Sequence, residues 1–109
     1  MTIKRISAVT RLRPENETHY LELHKAVWPE VLQVLRDNGI TNYSIFLLDG
    51  LLFSYLEFVG ESYEEAELAI ASNERTLEWW KLTAPCQEPL ASANEGDTWS
   101  TAAEVFHLP

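Results

Sequence analysis

The chain has only one cysteine, Cys86, so it cannot form an internal disulfide, and nothing points to an oxidising compartment. Cys86 follows Pro85 in what reads as a loop, with no local His or Asp pattern to activate it, which argues against a nucleophilic role. Basic residues are also scarce: 8 Lys and Arg stand against 17 Asp and Glu, a net charge of −9. A nucleic-acid surface needs clustered cations to release counterions, and here they are scattered. No polybasic segment could hold an anionic membrane, so the acidity reads as a well-solvated surface. Met1-Thr2-Ile3-Lys4-Arg5 is not followed by an apolar stretch long enough for a signal peptide. No run is long enough to span a bilayer, and the expected address is the cytoplasm. Glycine is sparse, with no phosphate-cradling loop and no nucleophile elbow. The three histidines, His19, His24 and His107, have no zinc-like spacing, and no Asp/Glu/His cluster suggests an oxygen-ligand site. A reaction without metal or cofactor fits what remains.

What is present is a substantial core. Hydrophobic residues make up 46% of the 109 and aromatics 11%, which fits one domain over residues 1–109. A domain of this size leaves much of its surface in water, so an apolar sheet face buried in an oligomer is expected. No internal repeat or low-complexity tract occurs.

Ile3 to Leu12 reads as a strand. Pro14-Glu15-Asn16-Glu17 opens a helix with negative charge at the positive end of its dipole. Tyr20, His24, Val27, Val31 and Leu35 form its inward stripe, flanked by Leu21, Trp28 and Leu32. Pro29 removes a backbone donor and predicts a kink or restart near Trp28, and Gly39 suits a left-handed cap. Asp49-Gly50, between strand-forming runs 40–48 and 51–59, is a strong hairpin signal. Ser62 and Glu65 make a capping box for a second helix that runs to about Leu82, with an interruption near Ser72-Asn73. A loop from Pro85 to about Ser100 follows, then a last strand from Ala103 to Leu108. The order β-α-β-β-α-β predicts an α+β, ferredoxin-like antiparallel sheet with both helices on one face. A dimer would bury the other face.

Few residues could carry chemistry. His24 lies one turn after Tyr20 on the same helix face, and imidazole is the side chain suited to proton transfer near neutral pH. The alternative is a histidine merely hydrogen-bonded within a core. Trp79 and Trp80, adjacent on a helix, point about 100° apart, so one can pack while the other lines a cleft. An aromatic face against the apolar side of a pyranose is a common way to hold sugar, though both could simply be core residues. Tyr43 shares a strand face with Ile45 and Leu47 and could point its phenol into the same cavity or simply pack.

The string Tyr20-Leu21-Glu22-Leu23-His24-Lys25-Ala26-Val27-Trp28-Pro29-Glu30, the pair Asn42-Tyr43, the triplet Trp79-Trp80-Lys81 and the closing Glu104-Val105-Phe106-His107-Leu108-Pro109 resemble the L-rhamnose mutarotase family over nearly the whole chain. The resemblance implies a homodimer of ferredoxin-like subunits, a dimeric α/β barrel, that exchanges the α and β anomers of L-rhamnose without a cofactor. It also implies that His24 is the proton donor and that Tyr20, Tyr43, Trp79 and Trp80 contact the sugar. Family members often carry Asn-Pro directly after the histidine, where this chain has Lys25-Ala26, and residues 85–101 match poorly. Both departures bear on which sugar is read more than on the reaction class. Competing readings are a mutarotase for another deoxy sugar such as L-fucose, a ferredoxin-like dimeric monooxygenase, and a non-catalytic sugar-binding module.

Overall fold

A computed structural model describes residues 2–109. Its sheet is antiparallel throughout and built on two long pairings. Strand β1 (Ile3–Leu12) runs against β3 (Leu51–Val59), with Ile3 opposite Val59 and Arg11 opposite Leu51. Strand β2 (Ile40–Leu48) lies on the far side of β3. Two short strands, β4 (Gln87–Glu88) and β5 (Ser100–Ala102), share the remaining edge of β1, at Arg11–Leu12 and Ser7–Val9 respectively. The order β2-β3-β1-β4 is the expected ferredoxin-like one, with its last position divided between two pieces.

The hairpin forms as its turn chemistry requires. Asp49 and Gly50 both adopt left-handed backbone, φ 52° and 73°, and Leu48 pairs with Leu51 across the two-residue loop. Gly39 also takes a positive φ, and a Cβ there would collide with the carbonyl of Val59, so no side chain fits.

Each sequence-level helix is two helices. Pro14–Asn16 forms a single 3-10 turn before α1 (Glu17–His24), which ends at Lys25. Trp28 is extended at ψ 130° because Pro29 disfavours helical backbone in its predecessor, and α2 (Pro29–Asp37) starts afresh with the proline in its first turn. The second pair, α3 (Tyr63–Ala71) and α4 (Glu74–Thr83), breaks at Ser72-Asn73 as expected. Ser62 accepts from the Glu65 N–H at 3.2 Å, and Asn73 caps α4 by accepting from the Thr76 N–H at 2.9 Å.

All four helices pack on one face of the sheet, in two apolar groups. Leu12, Leu52, Tyr20 and Cys86 form one, under α1 and the 3-10 turn Ala84–Cys86. Ile40, Phe58, Ala66 and Ile70 form the other, with Val34 and Leu35 of α2 against them. Between the two groups the layers stand apart.

The C-terminal segment differs from expectation. The last strand is Ser100–Ala102, and Ala103–Leu108 is not a strand. No main-chain ladder holds this tail. Instead, Glu104 pairs with Arg5 at 3.0 Å, while Val105, Phe106 and Leu108 are 95%, 77% and 78% exposed. The ladder of β5 ends at Ala102 opposite Ser7, and the chain leaves β1 there, so the apolar run that reads as a strand makes no pairing with the open Ile3–Ile6 edge. The connection before it is stitched by buried Thr10, whose single hydroxyl proton is shared between the carbonyls of Thr98 at 2.8 Å and Glu88 at 3.2 Å.

Candidate active site

The gap between helices and sheet is a cavity of about 990 Å³, walled by α1, α2 and α4 on one side and by β2 and β3 on the other. All five residues singled out from the sequence, Tyr20, His24, Tyr43, Trp79 and Trp80, line it. His19, on the exposed side of α1, and His107, in the tail, do not.

His24 is held on three sides. Its Nδ1 lies 2.9 Å from the carbonyl oxygen of Tyr20, one turn earlier in α1. A carbonyl can only accept, so Nδ1 carries a proton and donates it. That leaves Nε2 as the nitrogen that gains or loses a proton: an acceptor in the neutral ring and a donor in the cation. The imidazole stacks on the Tyr20 ring, with centroids 4.2 Å apart and 27° between planes. It also meets Trp79 edge-on at 5.5 Å. Trp79 in turn touches Trp28 at 5.2 Å, and the Arg75 guanidinium lies 3.7 Å from the Trp28 ring centre. Trp28 enters this stack from the extended residue that precedes Pro29.

The tyrosines are kept neutral. Burial pushes the Tyr20 phenol up to about 12, opposed in part by a hydrogen bond from Gln87 Nε2 to its oxygen at 3.2 Å. With that oxygen accepting from Gln87, the hydroxyl proton is the part left to offer a ligand. Tyr43 is partly open as a residue, yet desolvation raises its phenol above the ordinary value too. The tryptophans divide as their angular offset requires: Trp79 is 5% exposed and Trp80 40%. No Asp or Glu lines the cavity among the described residues, so its ionisable lining consists of His24, Tyr20, Tyr43 and Arg36. Cys86 is buried outside this lining with its thiol pushed up by desolvation, which favours the unreactive protonated form.

The sequence reading missed three contributors. Gln87 lies in the segment taken as loop, and its role depends on β4 bringing it to Tyr20. Arg36 reaches the cavity from the end of α2, whereas Asn42 only borders it at the start of β2, its side chain being bonded to Glu57. Thr76 lines it one turn before Trp79-Trp80, buried, with no hydrogen-bond partner on Oγ1 among the described residues. The i, i+3, i+4 spacing from Thr76 to the two tryptophans was the available signal.

A mostly apolar cleft with aromatic walls, two neutral phenols and one oriented imidazole, on a ferredoxin-like frame, defines a class of small α+β proteins suited to acid–base chemistry on an uncharged polar ligand. Comparison narrows this. The family model for L-rhamnose mutarotase matches residues 5–108. A protein of Lactiplantibacillus plantarum described as L-rhamnose mutarotase is 38% identical over 109 residues, covering 95% of this chain and 97% of its own length. The chain therefore belongs to the L-rhamnose mutarotase family. The crystal structure of an L-rhamnose mutarotase from Formosa agariphila superposes with a TM-score of 0.75 at 27% identity, covering 97% of this chain and 99% of that one. A putative antibiotic biosynthesis monooxygenase from Bordetella bronchiseptica shares the fold alone, with a TM-score of 0.68 at 12% identity over 99% of this chain and 100% of its own.

Proposed function

We propose that this chain is an isomerase that interconverts the α and β anomers of L-rhamnose by ring opening and closure, with His24 as the proton-transfer residue. The observation that carries this is the bond from Nδ1 to the Tyr20 carbonyl, which leaves Nε2 as the working nitrogen in a cavity with no carboxylate in its lining.

In the forward direction, protonated His24 delivers the Nε2 proton to the ring oxygen. The C1–O5 bond breaks while the anomeric hydroxyl loses its proton, giving the open aldehyde with a hydroxyl at C5. Rotation about C1–C2 presents the other carbonyl face. The C5 hydroxyl then attacks C1 and returns its proton to Nε2, and the new anomeric oxygen is protonated. The cavity's titratable lining is otherwise two neutral phenols and a guanidinium, so the anomeric proton passes to and from water. Tyr20 orients the imidazole through its carbonyl and ring face and offers its hydroxyl proton to a sugar oxygen. Trp80, the more open of the pair, presents a ring to the apolar side of the pyranose, while Trp79 supports His24, and Tyr43 closes the cavity from β2.

In this reading, residues 1–109 act as one domain in a cytoplasmic homodimer. Support for the dimer is the sheet face away from the helices, where Phe46 pairs with Phe53, itself opposite Val9, and where Phe46 and Leu48 are 61% and 63% exposed. A single unpaired thiol suits a reducing compartment. Among the described residues, no helix is long and apolar enough to cross a membrane.

The test is magnetisation-exchange NMR on L-rhamnose, with L-fucose alongside. Wild-type protein accelerates anomer exchange of L-rhamnose, and His24→Ala loses the acceleration while still binding sugar. Full activity in His24→Ala would remove the assignment, and saturable binding without acceleration by the wild type would make the chain a sugar-binding module.

A further inference from the structure

The pairing of β2 with β3 contains an irregularity that bears on the cavity. Ile40 lies opposite Phe58 and Thr41 opposite Glu57, but the next pair is Ser44 with Tyr55. Two residues, Asn42 and Tyr43, therefore face the single residue Leu56, which is a β-bulge. Asn42 adopts φ 48°, in the left-handed region, where asparagine is among the few non-glycine residues tolerated.

The bulge has a consequence in parity. Ile40 is buried against Phe58, and Ile45 and Leu47 line the cavity on the same face of the sheet. Positions 40 and 45 differ by five, so in a regular strand they would point to opposite faces. A regular β2 with Ile40 inward would turn Asn42, Ser44 and Phe46 towards the helices, and Tyr43, Ile45 and Leu47 away from them. The extra residue resets the alternation and brings Tyr43 to the cavity. The Asn42 side chain anchors the bulge from outside by donating to Glu57 Oε1 at 2.7 Å, and the Tyr55 hydroxyl donates to the same carboxylate at 2.7 Å.

We propose that Asn42 is a positioning residue: its left-handed backbone creates the bulge that turns Tyr43 into the sugar cleft. This rests on the reading of Tyr43 as a sugar contact. Asn42 acts through backbone conformation, so the bond to Glu57 is secondary.

The experiment is anomer-exchange kinetics on L-rhamnose, with thermal melts, for Asn42→Ala, Asn42→Gly, Tyr43→Phe and Asn42→Ala/Tyr43→Phe. Glycine keeps the left-handed conformation and loses the Glu57 bond, whereas alanine disfavours the conformation. Tyr43→Phe raises KM about threefold to tenfold, as loss of one neutral hydrogen bond would, with kcat little changed. Asn42→Ala raises KM to a similar degree per folded molecule, the double variant is no worse than Tyr43→Phe alone, and Asn42→Gly stays within about twofold of wild type. An Asn42→Gly variant impaired like Tyr43→Phe would overturn the proposal and assign the effect to the side chain; this comparison decides even where the alanine variant does not fold. Additive losses in the double variant, or wild-type KM in a folded Asn42→Ala, would overturn it as well. Wild-type kinetics in Tyr43→Phe would instead remove the reading of Tyr43 itself, and this inference with it.

Discussion

Trp28 joins the two halves of the helical layer, and replacing it by leucine tests whether the aromatic stack supports His24. Trp28 meets Trp79 at 5.2 Å with 65° between planes, and Arg75 caps its other side at 3.7 Å. An edge-to-face aromatic pair contributes about 0.5–1.5 kcal/mol beyond burial, and a partly exposed cation–π contact about 0.5–1. Trp28→Leu forfeits both while keeping an apolar side chain, so the expected loss is about 1–2.5 kcal/mol. For a domain of this size that lowers Tm by about 4–10 °C. Arg75→Met removes the cation–π contact together with an exposed bridge to Glu78, and such a bridge contributes little. Its Tm therefore falls by only a few degrees. The double variant isolates the Arg75–Trp28 term at about 0.5–1 kcal/mol. Circular-dichroism melts measure the stability of all four proteins, and anomer exchange reports on His24, with kcat lower in Trp28→Leu because Trp79 is the imidazole's edge contact. A coupling energy within about 0.3 kcal/mol of zero, the scatter of independent sites, would refute the stack as an energetic unit.

Two further outcomes follow from polar contacts. Tyr20→Phe leaves buried Gln87 Nε2 without its acceptor and costs about 1–3 kcal/mol in denaturant unfolding, most of it recovered in Tyr20→Phe/Gln87→Leu; a single variant as stable as wild type would contradict this. Glu104 is held below the ordinary carboxyl value of 4.5, chiefly by its hydrogen bond from Arg5, so its tether is complete above that value and is lost as pH falls through the depressed one. Backbone relaxation of residues 103–108 then shows the tail released in acid, and Glu104→Gln shows it released at neutral pH; a tail equally rigid under all three conditions would exclude the tether.

The helix break before Pro29, the left-handed turn at Asp49-Gly50, the cap at Ser62 and the interruption near Ser72-Asn73 were legible in the chain because each depends on local backbone chemistry. His24, Tyr20 and the Trp79-Trp80 pair were legible too, since helical periodicity alone puts them on faces that can converge. The run Ala103–Leu108 misled because apolar residues mark only a potential strand, whereas pairing depends on the path of the chain, and the ladder with β1 ends at Ala102. Gln87 reaches Tyr20 only through β4, a contact between residues 67 apart that no local pattern encodes. The bulge at Asn42 is of the same kind: the pair Asn42-Tyr43 permits it, and the need for both Ile40 and Ile45 to face the helices demands it. Sequence by itself thus determined the helices and their breaks, the β2–β3 hairpin and the residue types available for chemistry, which are short-range properties of the chain. Tertiary structure alone decided which nitrogen of His24 is free, which phenol is buried and which way Tyr43 points, because those depend on surfaces brought together from distant parts of the sequence.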